Sequence, residues 1–145
     1  MVIIPPMDQK LRRTERLQTR SSFRRVFDRG RCFTTPSLRI HYLPTQRELS
    51  RVGLVVSRRR GKAHVRNRIK RLLREVFRRS KLTLPSPHDV VLIPRGSAQE
   101  LDVYREAFDE FAGYLHMRRA RGHPRLPSQA GRLAARSQDP SPSTG

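Results

Sequence analysis

The chain has 145 residues, with 32 Lys or Arg against 12 Asp or Glu, and a formal net charge of +20 at pH 7. A field of that size weakens the compact state and attracts phosphate from beyond contact range, which favours a polyanionic partner, above all nucleic acid, over a small neutral ligand. The length suits one core with tails, and the single cysteine, Cys32, can neither close an internal disulfide nor supply a Cys-rich zinc cluster, the pattern of a reducing compartment.

The first element read along the chain is a short helix over residues 17–30. Phe23, Val26 and Phe27 sit at helical spacing, Thr19, Ser21 and Ser22 are candidate N-caps, and Gly30 suits a C-terminal stop. Residues 31–35 read as a short strand before Pro36. Over 37–43, Leu38, Ile40 and Tyr42 alternate with Arg39 and His41, the period-two signature of a strand with one buried face. A second strand spans 52–57, which is dense in branched residues. Residues 64–79 carry the clearest helical pattern, a stripe of Val65, Ile69, Leu72, Leu73, Val76 and Phe77. After a loop with Pro85 and Pro87, residues 89–93 read as a strand buried on both faces. Leu101, Tyr104, Phe108, Phe111, Ala112 and Leu115 mark a closing helix, started by Asp102 or by a capping box from Ser97 to Glu100. Residues 1–14 read as a flexible basic arm and 15–119 as one domain. Residues 120–145, with four prolines, four arginines and almost no large apolar groups, read as a disordered tail. The element order describes a small α+β sandwich rather than an α/β array.

Charge is concentrated: residues 58–81 hold twelve of the 32 basic side chains and one acid, Glu75. On the long helix Asn67, Lys70, Arg71, Arg74 and Arg78 fall opposite the apolar stripe, and Arg66 and Arg68 flank it beside the basic loop Arg58, Arg59, Arg60 and Lys62. An exposed helix face is ordinarily charged, but with mixed signs that support each other. Like charges placed together cost several tenths of a kcal/mol per close pair, so this face calls for an anionic ligand. Phe23 and Phe27, one turn apart, fit either core packing or a stacking platform for splayed nucleotides, with Arg39 and His41 on the polar face of the neighbouring strand.

Catalytic signatures are missing. The five histidines are scattered without ligand spacing, no G-x-S-x-G or phosphate-cradling glycine loop occurs, and the acids are too dispersed to hold two divalent ions. No catalytic residue and no metal ligand is assigned. With no long apolar run and no export signal, the expected location is the cytoplasm, away from membrane.

Arg51-Val52-Gly53-Leu54-Val55-Val56-Ser57, followed by Gly61-Lys62-Ala63-His64-Val65-Arg66-Asn67-Arg68-Ile69-Lys70-Arg71-Leu72-Leu73-Arg74-Glu75, resembles the signature region of the bacterial ribonuclease P protein component. Arg16-Leu17, the Phe23/Phe27 pair and the strand ending Pro94-Arg95 extend the resemblance. It implies a four-stranded sheet with three helices, like a ribosomal protein S5 domain, with a left-handed βαβ crossover. It also implies a subunit that binds a large catalytic RNA and the 5′ leader of precursor tRNA, and assists endonucleolytic removal of that leader. Mg²⁺ would be held by the RNA and substrate, and no protein partner is required. By position, Arg66, Asn67, Arg68, Lys70, Arg71 and Arg74, with Arg58, Arg59 and Lys62, would contact RNA. Phe23, Phe27, Arg39 and His41 would form the leader cleft, with His41 standing where relatives often carry an aromatic residue. Two other classes carry a comparable charge: a structural ribosomal protein, separable by which RNA co-purifies, and a protein-only nuclease, for which the carboxylates are too sparse.

Overall fold

The computed structural model describes residues 11–97 and 99–120. After a 3-10 turn at Arg13–Glu15, the elements are α1 (Arg20–Arg29), β1 (Arg31–Thr34), β2 (Leu38–Pro44), β3 (Arg51–Leu54), α2 (Ala63–Ser80), β4 (His88–Pro94) and α3 (Leu101–Ala120). The sheet order is β1-β2-β4-β3. β1 and β4 each run antiparallel to β2, while β3 lies parallel to β4 and reaches it through α2. This is the expected α+β arrangement of four strands and three helices.

The strand periodicities sort side chains between two cores. Leu38, Ile40 and Tyr42 of β2, Val52 of β3, and Val90 and Leu92 of β4 pack under α2 and α3 with Ile69, Leu73, Phe77, Phe108 and Phe111. Val91 points the other way, into a smaller cluster with Leu17 and Val26 that Phe23, Phe27, Leu43 and Ile93 close over. β4 is therefore apolar on both faces because it is an inner strand covered on both sides. α1 needs a single fully buried side chain, Val26, and leaves both its phenylalanines half-buried.

At the start of β3 and β4, Arg51 faces Asp89 in the parallel register. The guanidinium donates from Nε to Oδ1 at 2.9 Å and from Nη2 to Oδ2 at 2.7 Å, a bidentate pair whose carboxylate is only 2% exposed. This ties the two ends of the crossover.

Several boundaries differ from the sequence reading. The expected arm-to-domain boundary at residues 14 and 15 cuts through packed structure. Leu11 is buried in the main core, Glu15 is buried with an ion pair to Lys81, and the Leu17 N–H donates to the Val52 carbonyl at 2.9 Å, so residues 11–17 belong to the fold and cover the outer edge of β3. Residues 1–10 and 121–145, which hold the rest of the expected arm and tail, lie outside the described residues. β3 ends at Leu54 rather than at residue 57. The Val55 N–H still bonds the Leu92 carbonyl at 3.1 Å, and the chain then leaves for a 3-10 turn at Arg58–Arg60. Thr19 caps α1, its Oγ1 accepting from the Ser22 N–H at 3.1 Å. Gly30 ends that helix without a left-handed conformation, at φ −90°. Glycine is needed there for space, because a Cβ would stand 2.3 Å from the Tyr42 carbonyl oxygen and 2.6 Å from that of Val26. α3 starts at Leu101, with Asp102 in its first turn, and Ser97 lies too far upstream to cap it.

Candidate nucleic-acid interface

The apolar stripe of α2 decides which of its cations face outward. With Ile69, Leu73, Val76 and Phe77 buried, Asn67, Arg68, Arg71 and Arg74 are exposed, and Arg66 and Lys70 sit half-buried at the helix edges. Arg58, Arg59 and Lys62 are exposed in the preceding loop. Glu75, the only acid between residues 58 and 81, engages Arg78 and Arg79. That pairing corrects the expected basic ridge. Arg78 shares the one carboxylate with Arg79 in a partly compensated last turn, and the stretch of cations with no acidic partner runs from residue 58 to residue 74. The first turn of α2 carries no acid, so the positive end of the helix dipole adds to the same field.

Beside α2 lies a groove of about 170 Å³. Leu17, Phe23, Val52, Gly53 and Leu54 form its apolar part, and Arg16, Lys70 and Arg74 stand around it. Two arguments fix its shape. Gly53 has no side chain where the Phe23 ring lies, and a Cβ there would be 2.5 Å from Cε1 and 2.6 Å from Cζ of that ring. Arg16 is bridged to Val52 at the β3 edge, which places it around the same groove as Arg74 and close enough for its charge to act there. Partial burial and the nearby Arg16 charge both disfavour the charged form of Arg74 and lower its pKa. Cations held this close are stabilised by an anion placed between them.

Phe23 thus joins Lys70 and Arg74, from the expected leader and RNA-binding sets, in one groove. Phe27 meets His41 instead, edge to face with centroids 4.7 Å apart. Arg39 is exposed on the same face of β2 as His41, and neither it nor Arg58, Arg59 and Lys62 lines the groove. Both phenylalanines are half-buried and pack on the smaller core, as the packing reading expects. Sequence reasoning gave Arg16, Leu17 and Gly53 no role in the site. The legible signal was Gly53, a glycine inside a strand of branched residues, which marks a close approach of another group.

Several other ionisable groups have partners within the fold. Asp89 pairs with Arg51, Glu15 with Lys81 and Asp102 with Arg105. His88 is buried, its pKa lowered by desolvation, with Nδ1 2.8 Å from the Ser86 carbonyl, and His116 Nε2 lies 2.7 Å from the Thr83 carbonyl. Cys32 is exposed and free. Among the described residues no group of three or more His, Cys, Asp or Glu is placed to hold a metal ion, and no helix is long and apolar enough to cross a membrane. His123 lies outside the described residues.

Fold and site together define a small basic α+β domain that presents a run of uncompensated cations beside an aromatic groove. The family model for ribonuclease P matches residues 11–117, and the chain belongs to that family. It is 37% identical over 94 residues to the ribonuclease P protein component of Thermotoga maritima, covering 65% of this chain and 80% of the relative. It is 40% identical over 90 residues to that of Chlamydia trachomatis, covering 61% and 74%. The solved ribonuclease P protein of T. maritima superposes with a TM-score of 0.62 at 32% identity, over 69% of this chain and 96% of the other. The Staphylococcus aureus ribonuclease P protein, 23% identical, shares the fold with a TM-score of 0.60, over 70% and 94%.

Proposed function

We propose that this chain is the protein subunit of a ribonuclease P ribonucleoprotein, binding the catalytic RNA and the 5′ leader of precursor tRNA. The observation that carries this reading is the uncompensated basic surface from Arg58 to Arg74 opening beside a groove with an aromatic wall, in a chain of this family. Arg66, Asn67, Arg68, Lys70, Arg71 and Arg74 contact clustered RNA phosphates, with Arg58, Arg59 and Lys62 at the end of the same surface. Neutralising those phosphates releases counterions and provides most of the affinity.

The leader runs along the face that carries Phe23, Phe27, Arg39 and His41. One nucleotide base rests on Phe23 while its phosphate sits among Arg16, Lys70 and Arg74. Mature tRNA has no leader and forgoes these contacts, so substrate binds more tightly than product. The carboxylates of the described fold are dispersed and several are tied to cations, so the protein's donor set does not suit a catalytic metal. Phosphodiester hydrolysis is therefore assigned to Mg²⁺ held by the RNA subunit and substrate, with the protein supplying position and charge.

Leader cleavage measured with protein alone, RNA alone and both together, at low and high Mg²⁺, tests the division of labour. The expected result is no cleavage by protein alone, and rescue of the RNA at low Mg²⁺ by adding protein. Cleavage by nucleotide-free protein overturns the reading. For the contacts, Arg71→Ala and Arg74→Ala should each flatten the slope of log affinity against log salt by roughly one unit. Unchanged slopes remove those residues from the interface.

A further inference from the structure

Arg60 is unlike its neighbours in the basic loop. Arg58 and Arg59 are exposed, whereas Arg60 is half-buried and its guanidinium turns back into the fold. One terminal nitrogen donates to the Pro94 carbonyl at 2.6 Å, and the other donates to the carbonyl of Gly96. Both acceptors are main-chain groups where β4 ends. That exit is itself anchored. The Arg95 N–H donates to the Ser37 carbonyl at 2.8 Å, and its guanidinium donates to the Thr35 carbonyl at 3.0 Å, so the exit of β4 is tied to the turn between β1 and β2.

On the other side of Arg60 the chain makes a conformation that favours glycine, Gly61 at φ +133°, packed so that a Cβ would lie 3.3 Å from Val65 of α2. The Gly61 carbonyl accepts from Arg66 Nε at 3.1 Å. A continuous path thus runs from the sheet through the Arg60 side chain and the Gly61 peptide to the first arginine of the α2 surface.

We propose that Arg60 is a positioning residue for RNA binding. Its two-pronged grip on the Pro94 and Gly96 carbonyls fixes the loop that presents Arg58, Arg59 and Lys62 and orients Arg66 through Gly61. This rests on the RNA-binding reading above. A guanidinium suits the task because its planar fork spans two carbonyl oxygens with pre-organised donors. An ammonium is a point donor on a flexible stem and cannot reproduce that grip. Because both terminal nitrogens turn back to main-chain carbonyls, Arg60 contributes order rather than a phosphate contact. Without it the loop is ordered only on binding, at an entropic cost equivalent to one or two residues.

The test is a salt titration of binding to the cognate ribonuclease P RNA by the full-length protein and its Arg60→Ala, Arg60→Lys and Arg71→Ala variants. Hydrogen exchange of the Arg60 and Gly61 amides, which bond the Ser57 and Arg58 carbonyls, is followed in parallel. Arg60→Ala should weaken binding about five- to thirty-fold at every salt concentration, giving a line parallel to wild type, with faster exchange of both amides. Arg60→Lys, which keeps the charge, should shift the same way, and it carries the test if the alanine variant does not fold.

A slope flattened by Arg60→Ala, full rescue by lysine, unchanged affinity, or a parallel loss without faster exchange each overturns the proposal. Arg71→Ala separates the two levels. If it flattens the slope while Arg60→Ala has no effect, only the positioning role fails. If it leaves the slope unchanged, the RNA-binding reading fails and takes this inference with it.

Discussion

The contact between Gly53 and Phe23 offers a test in which the sign of a mutational effect depends on a second residue. In Gly53→Ala the new methyl group would begin 2.5 and 2.6 Å from two carbons of the Phe23 ring, against 3.4–4 Å for ordinary contact, so the ring must retreat by about 1 Å. The ring end is the free end of a half-buried side chain and can swing, and overpacking of this kind costs about 1–3 kcal/mol. At about 4 °C per kcal/mol for a fold of this size, the melting temperature should fall by roughly 4–12 °C. The displaced ring also leaves its place beside Arg74 and Lys70, so affinity for leader-bearing precursor tRNA should fall more than affinity for mature tRNA.

In a Phe23→Ala background the obstacle is gone. Replacing glycine by alanine then restricts the unfolded chain, a stabilisation of about 0.4–1 kcal/mol that the remaining 3.0 Å approach to Leu17 Cδ1 reduces toward neutrality. The assay is thermal melting of the four proteins in a double-mutant cycle, together with binding of the two tRNA forms. Equal destabilisation by Gly53→Ala in both backgrounds refutes the Phe23 contact, and equal losses for precursor and mature tRNA refute its role in the leader site.

Three further outcomes follow from the packing. Arg51→Met leaves the Asp89 carboxylate buried without its bidentate partner, a loss of about 3–5 kcal/mol, and an unchanged melting temperature would show that the pair is not formed. Glu15 experiences burial, which raises its pKa, and hydrogen bonds from Lys81 and the Arg12 N–H, which together lower it below the ordinary 4.5. A depressed folded-state pKa stabilises the fold at neutral pH, and that contribution is lost as pH falls below the ordinary value through the folded one. The melting-temperature advantage of wild type over Glu15→Gln should therefore hold near pH 7 and shrink below about pH 4.5; an advantage constant down to pH 3 contradicts this pairing. Gly113 of α3 has open space around a Cβ, so Gly113→Ala should stabilise the helix by up to about 1 kcal/mol. Any destabilisation there means that the helix packs differently.

The amino-acid sequence by itself determined those elements whose side chains repeat at the period of the backbone. The α2 stripe appears as expected, with Ile69, Leu73, Val76 and Phe77 buried, and the unbroken apolar run Val90 to Leu92 marks the inner strand β4. Charge was equally legible. A run of cations opposite an apolar stripe must face solvent or a ligand, because burying them unpaired costs far more than the helix gains. Only the tertiary structure decided which cations remain available and what stands beside them. Arg60 turns inward to carbonyls more than thirty residues away, and Arg16 reaches Arg74 because residues 16 and 17 line the β3 edge, whereas the pairing of Glu75 with Arg78 and Arg79 lies within one helix at a spacing the sequence already shows. Gly30 reads locally as a helix stop, yet its real constraint is the Tyr42 carbonyl of a neighbouring strand. The physical reason is common to Arg60, Arg16 and Gly30. Periodicity is a property of adjacent residues, whereas ion pairs, carbonyl grips and close approaches depend on which segments the packing of the sheet and helices brings together.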